Sequence, residues 1–352
     1  MHFWVRAEGR DNERRVGVLP QGAAALIAAG AQVTVEDSAA RVVATRDYAE
    51  AGAAIAPAGA WVDAPDDAVI LGLKELPEDG RALRHTHVMF GHAFKGQPGA
   101  VTLLDRFAAG GGVLLDLEYL VDDTGRRVAA FGYWAGYAGA AVTAIAWAAQ
   151  SSGALCPPVD TWDSAHAMLA DAQEALQRAG ATRPTALVIG ALGRVGTGAR
   201  DACRALGIPT TDWDMAETAH GGPFPAVLEH GIFLNCILAG PGVPVFVPAD
   251  SGNRPRALRT IGDIACDPGS SYNPVPVYDA ATSWAAPAIR VHSAPVLDVM
   301  AIDNLPSLLP VESSDDFAGQ LLPHLVALQR CGDGVWTRAK ATFAAHLKET
   351  RP

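Results

Sequence analysis

The stretch Thr185-Ala-Leu-Val-Ile-Gly190-Ala-Leu-Gly193-Arg-Val-Gly196-Thr-Gly198 decides how the chain folds. A short apolar run passes straight into a glycine-rich turn and then into a helical pattern. Glycines allow the tight turn and let backbone N–H groups approach a pyrophosphate, which then rests on the positive end of the following helix. The spacing G-x-x-G-x-x-G is a variant of the commoner G-x-G-x-x-G. A second element supports it: Pro209-Thr-Thr-Asp212-Trp-Asp214 has strand character and ends in acids. An acid there accepts both ribose hydroxyls of NAD and repels the extra phosphate of NADP. The bland alternative is an ordinary glycine-rich turn between strand and helix.

With 352 residues, of which 49% are hydrophobic, the chain has the length for two domains with separate cores and is not disordered. A formal net charge of −11, without any basic stripe, argues against nucleic acid as a partner. A few local arginines can still favour an anionic substrate. The start, Met1-His-Phe-Trp-Val-Arg-Ala-Glu8, lacks the cationic and apolar regions of a secretory signal. No segment reaches the roughly 20 apolar residues of a membrane span. Cys156, Cys203, Cys236, Cys266 and Cys331 are scattered, with no C-x-x-C pair. They read as reduced thiols of a cytoplasmic protein, so neither a disulfide frame nor a metal is expected.

Strand-like and helical segments alternate from the start. His2–Val5, Ala31–Val35, Ala68–Gly72, Val88–Phe90 and Gly112–Asp116 read as strands, and Gly22–Ala29 and Leu103–Ala108 as helical. The Ala-rich run Gly139–Gln150 reads as one buried helix, residues 151–158 as a loop, and 160–180 as a helix before the glycine turn. Strands continue at Gly231–Ile237 and Arg259–Asp263, and helical periodicity returns at Phe317–Leu328 and Val335–Leu347. This rhythm predicts an α/β fold with two Rossmann-like domains, mostly parallel sheets, and ligands in a cleft at the carboxyl ends of the strands.

Three clusters carry polar groups that a purely structural sequence does not need. In Gly72-Leu-Lys74-Glu75-Leu-Pro77, a Lys and a Glu arrive at the end of a buried strand. A partly desolvated lysine there has its pKa lowered towards the range of a general base; the plain alternative is a solvated ion pair. In His85-Thr-His87-Val-Met-Phe-Gly91-His92, the first two histidines are expected before a strand and His92 after it, so they do not converge on one ion. His92 occupies the strand-end position equivalent to Lys74, which suits an acid/base pair, although a lone histidine is more often structural. Asp116-Leu-Glu118-Tyr is followed by Gly125-Arg126-Arg127, read as a twin arginine before an apolar strand. Arg127 and Arg15 are candidate carboxylate clamps, because guanidinium forks bind carboxylates bidentately; the alternative is a surface arginine. Two clamps, an acid/base pair and NAD suit oxidation at an amino-acid-like carbon.

Gly72-Leu-Lys-Glu-Leu-Pro77, Phe90-Gly-His-Ala-Phe-Lys-Gly-Gln97, Gly125-Arg-Arg-Val-Ala-Ala-Phe-Gly132, Gly190-Ala-Leu-Gly-Arg-Val-Gly-Thr-Gly198 and Asp303-Asn-Leu-Pro-Ser-Leu-Leu-Pro310 resemble, in order, the lysine-forming NAD-dependent saccharopine dehydrogenases known from fungal lysine biosynthesis. The resemblance runs from about Val5 to Leu347. It implies a relative of alanine dehydrogenase, with residues 1–135 and 306–352 forming a substrate domain and 136–305 an inserted NAD domain. It implies Lys74 and His92 as catalytic groups and Arg15 and Arg127 on substrate carboxylates, with Phe131 lining the site and Glu75 and Glu118 modulating the basic pair. Gly190, Gly193, Arg194, Val195 and Gly196 fall in the cofactor turn, Asp214 on the ribose and Thr218 just beyond it. Leu238, the loop Gly262-Asp263-Ile264-Ala265 and Ile302-Asp303-Asn304-Leu305 complete the cofactor side, with Asp263, Ile264 and Ala265 also meeting substrate. The small-molecule partners implied are saccharopine, lysine and 2-oxoglutarate, handled by a monomer or small homo-oligomer.

The chain departs from the family in places. Val195 stands where fungal members carry a cysteine facing the equivalent of Cys236, so that link cannot form. Residues Asp267–Asn273 differ from the family pattern near the substrate, and Thr350-Arg-Pro is not a Ser-Lys-Leu-type peroxisomal ending. Two rival readings follow: an opine-type dehydrogenase joining another amino acid and 2-oxo acid, and a catalytically silent NAD-binding protein. The second is disfavoured by the presence of both Lys74 and His92.

Overall fold

The computed structural model describes residues 1–10, 12–97, 99–180, 182–330 and 334–349. Cys331 and Thr350-Arg-Pro lie outside the described residues. The chain divides into two compact units, residues 1–130 with the stretch from Ser313 onward, and Phe131–Glu312.

The first unit contains β1 (His2–Val5), α1 (Pro20–Ala28), β2 (Gln32–Glu36), α2 (Thr45–Glu50), β3 (Ala54–Ala56), β4 (Ala68–Leu71), β5 (Thr86–Met89), α3 (Ala100–Gly110) and β6 (Val113–Asp116). Its sheet has the order β3-β2-β1-β4-β5-β6, with every neighbour parallel. Ala68-Val-Ile-Leu71 is buried along its whole length, as a parallel strand covered on both faces requires. Winding reverses between β1 and β4. Val5 pairs with Leu71, Leu71 with Val88 and Val88 with Leu115, so these four strands end level on one edge.

The second unit holds α4 (Gly132–Ala149), α5 (Ala165–Ala179), β7 (Ala186–Ile189), α6 (Arg194–Ala205), β8 (Thr210–Trp213), α7 (Met215–Thr218), α8 (Pro225–Glu229), β9 (Ile232–Asn235), β10 (Thr260–Asp263), β11 (Ala288–Ser293) and β12 (Val296–Met300). Its order is β11-β12-β10-β9-β7-β8, parallel except for the antiparallel β11–β12 pair. Here the winding reverses between β7 and β9. The small residues of α4 have a mechanical reason. A Cβ on Gly136 would lie 1.8 Å from the Val195 carbonyl oxygen, and one on Gly198 would lie 1.9 Å from that of Tyr133. The two helices therefore meet backbone to backbone. α9 (Pro310–Arg330) and α10 (Val335–Glu349) complete the first unit, where Phe317 and Leu321 close over Gly17.

Both sheets are the mostly parallel α/β layers expected. Two expectations fail in detail. No strand follows Arg126-Arg127: residues 120–128 close a small turn through a bridge between Val121 and Arg127, and the chain then runs irregularly into α4. His87 does not precede a strand but sits inside β5, wholly buried, edge-on to Trp61 and Phe107. The β11–β12 hairpin escaped the sequence reading because buried Asp298 interrupts its apolar run; Arg290 and Gln150 satisfy that carboxylate.

Neither ring nitrogen of His87 has a hydrogen-bond partner, and burial pushes its pKa down to about 3. The unfolded chain binds this proton below the ordinary value of 6.5 and the folded chain does not, so stability falls as pH drops below 6.5. One unit of such a difference corresponds to about 1.4 kcal/mol. His87→Phe is expected to narrow the gap in unfolding free energy between pH 7 and pH 5 by about 2 kcal/mol, read from urea titrations. An unchanged gap counts against the assignment.

Candidate active site

Lys74 follows the end of β4 and His92 the end of β5, on neighbouring strands of the level edge. The backbone N–H groups of Leu73 and Lys74 donate to the two oxygens of Glu8, at 2.7 and 2.9 Å. Arg6 in turn bonds the Lys74 carbonyl and pairs with Glu8. This frame fixes the strand exit while leaving the Lys74 side chain half-buried. Burial lowers the Lys74 pKa from its ordinary value; the charges of Arg15 and Arg10 lower it further, and Glu13 and Glu75 oppose them. The result is a lysine moved towards the range in which it works as a base.

His92 is exposed and holds a left-handed backbone (φ 49°), a conformation that is uncommon outside glycine. Its ring stacks on Phe90, and its Nδ1 lies 4.0 Å from the Glu118 carboxylate. The other Glu118 oxygen takes the Lys95 ammonium at 2.6 Å. A cavity of about 540 Å³ opens beside His92, lined among others by Glu75, Glu78, Thr102 and Arg106.

On the second sheet, the residues after β8, β7, β9 and β10 also emerge level, since Trp213 pairs with Ile189, Ile189 with Asn235 and Asn235 with Asp263. The glycines divide the work. Gly190 holds φ 86° in the turn. A Cβ on Gly193, just before α6, would have only the Gly190 oxygen near it, at 3.5 Å, which leaves room for a ligand. A Cβ on Gly196 would lie 2.1 Å from the Gly190 oxygen, so the helix packs tightly on the turn. No side chain caps α6, which leaves the first-turn N–H groups of Arg194, Val195 and Gly196 for an anion. Asp214 sits beside this turn, accepting the Leu192 N–H at 3.0 Å and capping α7 through Met215. Asp212 is committed elsewhere, to Arg200 at 2.7 Å. These residues fit a dinucleotide at the switch point of the sheet.

Several expected residues have other duties. The fork of Arg15 already meets Glu13, at 2.8 and 2.6 Å, with both side chains buried. Asp263 turns inward: its carboxylate accepts from Asn235, Tyr278 and the Cys266 N–H, so only its backbone faces the edge. Gly262 gives α4 close approach to the sheet, 2.3 Å from the Thr143 hydroxyl for an added Cβ. Ile302 and Leu305 are core residues, and Ile264 is buried against Gly139. Thr218 is buried, its hydroxyl donating to the Asp214 carbonyl. Arg127, Leu238 and Asp303 are exposed, and Glu75 pairs with Arg10 at 2.6 Å. Phe131, Ala265 and Asn304 are partly exposed. Glu8 and Glu13 were not singled out in the sequence. An acid one turn beyond a strand, or two residues before a candidate arginine, was the available signal.

Two mostly parallel sheets, one carrying a lysine–histidine edge and the other a glycine turn with a ribose-type acid, define the class of two-domain dehydrogenases. The profile of the alanine dehydrogenase/PNT N-terminal domain matches residues 4–138. The chain superposes on an L-alanine dehydrogenase with a TM-score of 0.69, at 19% identity and 99% coverage of both chains. A transhydrogenase from Sinorhizobium meliloti gives 0.68, at 16% identity, covering 96% of this chain and 97% of that one. In sequence it is 42% identical to the saccharopine dehydrogenase [NAD(+), L-lysine-forming] of Schizosaccharomyces pombe over 99% of each chain. The Neurospora crassa protein of that name is 44% identical over 96% of this chain and 94% of its own. The chain belongs to the L-lysine-forming saccharopine dehydrogenase family.

Asp214→Ala is expected to weaken NADH binding about 10- to 100-fold, the worth of hydrogen bonds to a charged group, with a smaller effect on NADPH. Fluorescence titration of both dinucleotides checks this, and equal losses for the two would remove Asp214 from the ribose.

Proposed function

We propose that the chain catalyses the reversible NAD-dependent cleavage of saccharopine to L-lysine and 2-oxoglutarate. The observation that carries this reading is Lys74, half-buried and lowered in pKa at a strand end next to that of His92, in a member of this family. Saccharopine is a secondary amine joining lysine and glutamate skeletons. Arg127 forks onto a substrate carboxylate, while Arg15, its fork closed on Glu13, acts on the charge of Lys74. Lys74 in its neutral form takes the proton from the secondary ammonium, freeing the nitrogen lone pair. NAD, held by the α6 N-terminus and Asp214, supplies the hydride acceptor for the glutamyl α-carbon when bound. Loss of that hydride leaves a C=N bond formed by the freed lone pair, and water adds to its carbon while His92 removes the water's proton. Returning a proton to nitrogen lets the adduct collapse to lysine and 2-oxoglutarate. Each acid/base group contributes about 10²- to 10⁴-fold in rate. The reading carries with it a cytoplasmic setting for a monomer or small homo-oligomer. Among the described residues, no helix is long and apolar enough to cross a membrane.

The test is lysine-dependent oxidation of NADH in the presence of 2-oxoglutarate, with NADPH as control. Lys74→Met is expected to lose about 10²-fold or more in kcat while still binding NADH. For saccharopine oxidation, activity rises with pH as Lys74 gives up its proton, at a pH below the ordinary lysine value of 10.5, and that limb disappears in the variant. A variant with full activity and an intact limb would sink the base assignment.

A further inference from the structure

Asp116, the last residue of β6, is fully buried. Its two carboxylate oxygens go to two different exits. One accepts the Gly91 N–H at 3.2 Å, immediately before His92. The other accepts the N–H of Glu118 at 2.9 Å. Glu118 is the residue whose side chain faces His92 Nδ1 at 4.0 Å and Lys95 at 2.6 Å. There is no slack on the His92 side: a Cβ on Gly91 would lie 2.6 Å from Leu114 and 3.2 Å from the Asp116 oxygen. His92 itself stands in a backbone conformation that persists only where its surroundings impose it.

We propose that Asp116 is the positioning residue of this site: one carboxylate grips the backbone carrying His92 and the backbone carrying Glu118, and so sets the spacing of the pair. The inference rests on reading His92 as an acid/base group in the reaction proposed above. Both donors are backbone N–H groups, which cannot turn round to accept. Two anionic oxygens satisfy both; a neutral side chain of the same shape satisfies one. Burial raises the Asp116 carboxyl to about 6, against the opposing pull of the Glu118 and Gly91 hydrogen bonds. The need for two acceptors rests on the geometry: each oxygen meets a different backbone N–H.

Asp116→Asn in the full-length protein tests this, because its amide NH₂ must face one of the two N–H groups and release that exit. Expected are an NADH dissociation constant within about twofold of wild type, a kcat/KM for lysine lower by about 10- to 100-fold, and a displaced pH profile. On a Glu118→Ala background the same substitution should cost little more, since both changes break one pair. Full additivity, or a wild-type pH profile in a folded variant, overturns the proposal. If Asp116→Asn does not fold, Gly91→Ala keeps the carboxylate and crowds it, and an unmoved profile there is equally fatal. The ¹⁵N ring resonances of His92 in substrate-free protein separate the two readings. They should move in Asp116→Asn even if wild type shows no lysine-dependent turnover, and unmoved resonances refute the positioning role.

Discussion

A parallel strand that ends beside its neighbours leaves backbone N–H groups beyond the reach of the ladder, in a place where side chains are crowded. In both units these groups are met by carboxylates at the strand ends, some reaching a neighbouring exit and some closing on their own. Glu36 takes the N–H of Ala7, Gly59 and Trp61; Glu8 takes Leu73 and Lys74; Asp116 takes Gly91 and Glu118. On the second sheet Asp214 takes Leu192 and Met215, and Asp263 takes Cys266. Hydrogen bonds to a charged acceptor contribute about 1.5–3 kcal/mol each, and leaving such buried donors unmet costs a similar amount. On the first sheet, where these bonds are buried or partly buried, they fix the strand exits. Loops held this way can carry chemistry.

The same carboxylates set the electrostatics of the lysine–histidine edge. Glu13 neutralises Arg15 beside Lys74, and the Lys74 pKa is lowered by burial and by Arg15 and Arg10 more than Glu13 and Glu75 restore it. Glu118 stands between His92 and Lys95. On the cofactor edge the logic is different: glycines remove side chains where the backbone must come close, and the uncapped helix end is left to an anion. One edge lowers the proton affinity of a lysine; the other presents backbone dipoles beside the Asp214 carboxylate.

Much of this was legible in the sequence. The glycine turn and the strand-end positions of Lys74 and His92 follow from local pattern, because strand, turn and helix are set within a few residues. What could not be read were pairings made at a distance. Nothing in Gly262-Asp263-Ile264-Ala265 says that Asp263 turns inward to Asn235 and Tyr278. The strand expected after Arg127 does not form because the backbone groups there are taken locally: the Val128 N–H goes to the Leu120 carbonyl, and the Ala130 N–H and carbonyl go to the Gln320 side chain. The β11–β12 hairpin was hidden by a buried charge whose partners lie far away in sequence.

The identity of the amine is the central claim of the proposed function. The most direct measurement is mass-spectrometric identification of the product formed from NADH and 2-oxoglutarate when lysine competes with a panel of other amines at equal concentration. The account predicts one dominant adduct, saccharopine. A dominant adduct with a different amine, or none with lysine, would contradict it.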